Sequence, residues 1–196
     1  MACIDDELPF AIPYGWTWCE LQDCCMKEIK RGRSPKYAET GNVLSFAQKC
    51  NQKVGGINIG LALWIDDASV DRYEAAEYLC DNDIVINSTG TGTLGRIGIY
   101  HNSDNPSDIP IVPDSHVTVV RPSAHIHPAY IYCCLKAMQT SIESMGEGST
   151  NQKELKPLTV QQLRIPLPPY SEQVEICDRV NAMVITLSLI ELELQR

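Results

Sequence analysis

Residues 83–96 leave this chain few choices: Asp83-Ile84-Val85-Ile86-Asn87-Ser88-Thr89-Gly90-Thr91-Gly92-Thr93-Leu94-Gly95-Arg96. A β-branched apolar run reads as a strand. It enters a loop of Ser, Thr and Gly that ends at an arginine. Glycines let such a loop bring backbone N–H groups close to a ligand. The hydroxyls add short donors and acceptors, and Arg96 adds a fixed positive fork. Gly90-x-Gly92-x-x-Gly95 also matches the dinucleotide fingerprint, but that motif needs its third glycine in a helix packed on the strand. The continuation Arg96-Ile97-Gly98-Ile99-Tyr100 alternates and is β-branched, so it reads as a second strand. The expected unit is β-loop-β, which suits a polyanion backbone better than a nucleotide cofactor.

The chain has 196 residues, room for one domain with a real core and an appendage. No apolar run approaches the ~20 residues of a membrane span. The N-terminus carries Asp5, Asp6 and Glu7 rather than the basic start of a secretory signal, so a cytoplasmic protein is expected. The nine cysteines are odd in number and contain no C-x-x-C pair, which argues against a disulfide framework and against zinc. They read as small buried apolar side chains, and His125 and His127 as structural or solvent-facing. A net charge of −9 disfavours a generic polyanion binder. Yet Lys27 to Lys53 holds seven basic residues and two acids, while Asp66 to Asp83 holds seven acids. One basic face on an acidic remainder is the expectation. Such a face binds weakly alone, because affinity grows with the number of phosphates neutralised.

The pattern is α+β: one mixed-sheet domain with short helices, then a long C-terminal coiled-coil-type helix. Residues 1–12 read as a linker kept from helix by Pro9, 13–170 as the domain, and 171–196 as the helix. Strands are expected at 16–21, 42–47, 84–87, 96–100, 115–122 and 163–169. A short helix is expected within 22–31, a surface helix over 67–78 capped by Asp67 or Ser69, and an apolar helix from Pro128 to Ser141. Residues 101–113 read as an exposed loop and Gly146 to Lys153 as a second polar Gly loop. In the tail, Ile176, Val180, Met183, Leu187, Ile190 and Leu194 repeat every 3.5 residues, the pattern of a coiled-coil seam.

These pieces occur in a recognisable order. Pro13-Tyr14-Gly15-Trp16-x-Trp18-x-x-Leu21 opens the domain, Ile86 to Arg96 lies in the middle, and Asp114-Ser115-His116-Val117-Thr118 follows. Gly148-Ser149-Thr150-Asn151-Gln152-Lys153-Glu154-Leu155 and Ile165-Pro166-Leu167-Pro168-Pro169-Tyr170-Ser171-Glu172-Gln173 complete it. From about Pro9 onward the chain resembles the specificity subunit of type I restriction–modification enzymes. The resemblance implies a noncatalytic protein without a cofactor or metal of its own. A full subunit of that family has two target recognition domains on long helices that pair antiparallel. Each domain reads half of a split DNA site, and methyltransferase subunits dock on the assembly. This chain departs by holding one recognition domain and part of one helix, as a natural half or a fragment. Its expected partners are double-stranded DNA, methyltransferase subunits and a second specificity half.

On that reading Arg31, Arg33, Lys36, Lys49, Arg96 and Lys153 hold phosphates, helped by the hydroxyls of Thr89, Thr91, Thr93 and Thr150 and by loop N–H groups. Such contacts position the protein without reading sequence. Base reading falls to polar side chains such as Tyr37, Gln48, Asn51, Asn151 and Gln152, because an amide pairs bidentately with adenine. His116 is a further candidate DNA contact, with Asp114 ordering its loop. No methylation motif, G-x-S-x-G elbow or H-E-x-x-H occurs. The competing class is an enzyme that holds a nucleotide or S-adenosylmethionine in the Gly90–Gly95 loop.

Overall fold

The computed structural model describes residues 9–54, 56–148 and 153–194. Three sheets organise it. The central one is antiparallel, in the order β2 (Lys30–Arg31), β9 (Val117–Val120), β6 (Ile84–Asn87), β7 (Ile97–Ile99). The second is mixed, in the order β3 (Tyr37–Ala38), β5 (Leu63–Ile65), β4 (Leu44–Phe46), β8 (Ile111–Pro113), with β4 and β8 parallel. The third pairs β1 (Thr17–Glu20) with β10 (Arg164–Leu167). The helices are α1 (Pro128–Ala137), α2 (Gln139–Ser144), α3 (Pro157–Gln161) and α4 (Tyr170–Leu194).

The central sheet is covered on both faces, which is why β6 is an uninterrupted apolar run rather than an alternating one. The period of two sends Ile84 and Ile86 towards the helices, with Ile97, Val120, Ile131, Leu135 and Ile165. Val85, Val117 and Val119 point the other way, onto Leu44, Phe46 and Ile111 of the mixed sheet. Two cores thus share one strand, and both fix the register of β6. The dinucleotide alternative needs a helix after Gly95. The chain instead enters β7, which pairs antiparallel with β6.

Four expectations change. The 67–78 segment is not an α-helix but two 3₁₀ turns, Asp67–Arg72 and Ala75–Glu77, broken at extended Tyr73. Its cap is Asp66, whose carboxylate accepts from Ala68 N. Within 22–31 the expected helix is only the 3₁₀ turn Leu21–Cys24, and the segment ends in β2. The Gln22 side chain then closes a loop by accepting from Ile29 N and donating to Lys27 O. The 101–113 loop ends in a buried strand, β8. Finally, α4 begins inside the domain. Buried Gln173 accepts from His127 N at 2.8 Å and donates to Pro168 O at 2.9 Å, and Cys177 joins the core. Ile176 packs against that core and Val180 is half-buried. From Asn181 to Leu194 every residue is exposed, including Met183, Leu187, Ile190 and Leu194.

Candidate nucleic-acid interface

Four chain segments converge at the end of β6. Ser88 N donates to His116 O, tying the Gly90 loop to the 114–116 turn. Leu155 N donates to Ser88 O, and Thr89 forms a bridge to Glu154, which itself pairs with Glu147. Asn87 Nδ2 donates to Gln48 O at 3.1 Å, bringing in the turn at 48–51. Sequence separations of 28 to 67 residues thus collapse onto one surface, where Gly90, Thr91, Gly92, Leu94, Glu143 and Lys153 line a depression of about 290 Å³.

The loop is held from within. Gly90, Gly92 and Gly95 have φ of +96°, +76° and +74°, conformations that L side chains rarely adopt. Gly95 also lets α2 close in, since a Cβ there would lie 2.6 Å from Glu143 Cγ. The N–H groups of Thr93 and Leu94 donate to Gly90 O, Gly95 N to Asn87 O, and Arg96 N to Thr93 O. These four amides face inward, contrary to the expected N–H cradle. Thr93 Oγ1 donates to Gln48 Oε1 at 3.1 Å, and the Arg96 guanidinium donates to Asn51 O at 2.9 Å and Gly92 O at 3.2 Å. Thr93, Gln48 and Arg96 therefore brace the loop.

Asn51 lies deepest. It is 1% exposed, and its Nδ2 donates to Arg96 O at 3.0 Å and Asn87 Oδ1 at 3.2 Å. Glycine at position 98 makes room for its carbonyl, because a Cβ there would stand 2.5 Å from Asn51 Oδ1. In this structure the side chain cannot touch a base. Thr89 Oγ1 and His116 Nδ1 are 2.8 Å apart, and His116 N donates to Asp114 Oδ1 at 2.8 Å. Burial pushes the Asp114 carboxyl above its ordinary range, partly offset by that amide and the imidazole.

The cations divide. Arg31 is 18% exposed, donates to Leu155 O at 2.7 Å and pairs with Glu154 at 2.5 Å, supporting the site from behind. Arg33 pairs with Glu77 at 2.8 Å, and Lys36 with Asp66 at 3.3 Å. The expected basic face is therefore largely answered by the acidic 66–77 segment, which folds against it. Lys49, Thr91 and Lys153 are exposed at the convergence itself. Tyr37 sits away from it on β3 at 47% exposure, although Ser34 Oγ, 2.9 Å from Ser115 Oγ, links the two regions. Thr150, Asn151 and Gln152 lie outside the described residues. Sequence reading missed Glu143, brought in by the close approach of α2 to Gly95, and Gln173, whose only local signal is a polar residue at a buried helical position.

A family model for the type I restriction modification DNA specificity domain matches residues 13–196. Among solved structures, a chain from a study of complex assembly and conformational transition of the type I R-M system has a TM-score of 0.70 at 20% identity. It is covered over 43% of its length by 95% of this chain. The HsdS subunit from Thermoanaerobacter tengcongensis also gives a TM-score of 0.70, at 17% identity, with 95% of this chain covering 42% of it. The type I restriction-modification S subunit from M. genitalium gives 0.56 at 15% identity, with 93% covering 44%. The chain thus spans less than half of each. No curated protein matches the sequence. Among the described residues no helix is long and apolar enough to cross a membrane.

Proposed function

Because this chain belongs to the type I restriction modification DNA specificity domain family, a noncatalytic class, we propose that its domain lies in the major groove and reads one half of a split DNA site. The observation that carries the reading is the convergence of four separate segments on the end of β6. They form a braced platform with Lys49, Thr91 and Lys153 exposed. Lys49 and Lys153 hold phosphates, while Thr89, Thr91 and His116 present short polar groups beside them. Lys36 and Tyr37 extend the surface along the mixed sheet. Arg31, Arg33, Arg96, Gln48, Thr93 and Asn51 act on DNA through the shape they give this platform. A preorganised surface loses less conformational entropy on binding.

The exposed half of α4 pairs antiparallel with the helix of a second specificity half along Met183, Leu187, Ile190 and Leu194. At 100° per residue Ile185, Leu189 and Leu192 fall on the opposite side of the helix, and they are 58–61% exposed. This second stripe docks the methyltransferase subunits. The deciding experiment exchanges residues 13–170 for those of a relative, supplies the hybrid to its methyltransferase and sequences the modified sites. The modified half-site changes with the exchange. An unchanged pattern would place specificity elsewhere.

A further inference from the structure

Cys19, on β1, and Cys24, at the end of the following 3₁₀ turn, bring their sulfurs to 3.2 Å. The turn folds the chain back after β1, so residues five apart meet at the edge of the helix-side core. Cys24 is buried and Cys19 half-buried, so only one of the two is open to a solute. Cys25 is turned elsewhere, donating to Leu21 O at 3.2 Å. Cys80, the exposed cysteine among the described residues, lies outside the cluster. We propose that Cys19 and Cys24 form a peroxide-sensitive thiol pair that closes reversibly to a disulfide.

The surroundings fit an attacking and a resolving cysteine, a half-buried thiol of lowered pKa beside a second, buried thiol. A hydrogen bond from Cys24 lowers the Cys19 thiol, and the charge of Arg164 adds to it, against burial and Asp23. The same hydrogen bond and burial push Cys24 upward, keeping it protonated. Arg164 is placed by the β1–β10 register, opposite Glu20 and next to Ile165, the partner of Cys19. In the first step the Cys19 thiolate attacks one oxygen of hydrogen peroxide. The O–O bond breaks, leaving Cys19 sulfenic acid and hydroxide, which takes up a proton. In the second step Cys24 sulfur attacks the Cys19 sulfur. The S–O bond breaks, water leaves with the Cys24 proton, and the S–S bond forms. Two thiols are oxidised and one peroxide becomes two waters.

The test treats the folded full chain with limiting hydrogen peroxide, alkylates the remaining thiols after denaturation and maps peptides by mass. The expected result is loss of two hydrogens in the peptide holding Cys19 and Cys24, ahead of any change at Cys80, and full reversal by dithiothreitol. Cys25→Ser retains the bridge, while Cys19→Ser and Cys24→Ser abolish it. Cys19→Ser, at the more open position, carries the test if Cys24→Ser fails to fold, with near-UV circular dichroism as the check. Oxidation of Cys80 first with no bridge between Cys19 and Cys24, or a bridge that survives Cys19→Ser, overturns the proposal.

Discussion

Replacing Asn51 with alanine separates a residue that builds the proposed DNA-facing platform from one that touches DNA. The substitution removes the donor from Asn87 Oδ1, which is fully buried, and one of the two donors from Arg96 O, which keeps Asn87 N at 2.9 Å. A buried acceptor left without a donor costs about 2 kcal/mol, and the bond to Arg96 O contributes about 1. Partial collapse around the missing amide adds about 1 kcal/mol. Against this, Asn51 Oδ1 has no hydrogen-bond partner in the structure, so deleting it returns about 2 kcal/mol of desolvation. The net is a destabilisation of about 2 kcal/mol. With a urea slope of about 2 kcal/mol per molar, the midpoint falls by about 1 M. The matched control is Lys153→Ala, an exposed change expected to stay within about 0.5 kcal/mol of the parent. That control weakens DNA binding and makes the salt dependence shallower by about one unit of slope. If Asn51→Ala kept the parental urea midpoint while altering the DNA target, the amide would be reading a base and the assignment of Asn51 to the interior would fail.

Gly92→Ala strains only a positive φ and costs about 1 kcal/mol; Gly95→Ala adds a clash with Glu143 and costs clearly more, measured by urea unfolding of both. Arg121→Met strips Asp83, 0% exposed, of its partner at 2.6 Å, and calorimetry should record a loss of about 3–5 kcal/mol. For Asp114 the folded-state pKa is raised, so burying the carboxylate opposes folding above that pKa and ceases to do so once the group is protonated. Asp114→Asn keeps an acceptor for His116 N, so its thermal midpoint exceeds the parent's at neutral pH, and the gap closes as pH falls through the carboxylate range. A gap that widens on acidification contradicts the sign. Leu187→Glu leaves the domain's urea midpoint unchanged, because Leu187 is 60% exposed, and on the proposed function weakens pairing with a second specificity half, measured by sedimentation of the mixture.

How much of this was legible depended on whether a local signal competed with a distant one. The strands β6, β7 and β9 were readable because apolar β-branched residues dominate them and both faces are buried. The tail was readable because its repeat is long. Residues 67–78 misled because Ala and Glu favour a helix, whereas Arg121 takes the Tyr78 carbonyl at 2.7 Å and Arg33 holds Glu77. Tertiary partners thus override a propensity worth only tenths of a kcal/mol per residue. Two apolar residues between Pro110 and Pro113 carry too little pattern to announce β8, which exists because Leu44–Phe46 accepts it as a parallel neighbour.

Charge was the least transferable signal of all. The basic stretch 27–53 and the acidic stretch 66–83 are separated along the chain, but their side chains meet in the fold. Glu77 neutralises Arg33, Asp66 neutralises Lys36, and Lys27 donates to Ala76 O at 2.9 Å. Arg31 is consumed by Glu154. Among the described residues at the convergence, Lys49 and Lys153 remain exposed, against a formal net charge of −9 on the whole chain. Counterion release therefore offers this domain little sequence-independent affinity, because that affinity scales with the phosphates neutralised. A weak electrostatic hold suits the proposed function: non-specific sites compete poorly, and discrimination then rests on the shape and polar groups of the braced platform. On the function proposed above, the remaining affinity comes from a second DNA-gripping surface that α4 brings alongside.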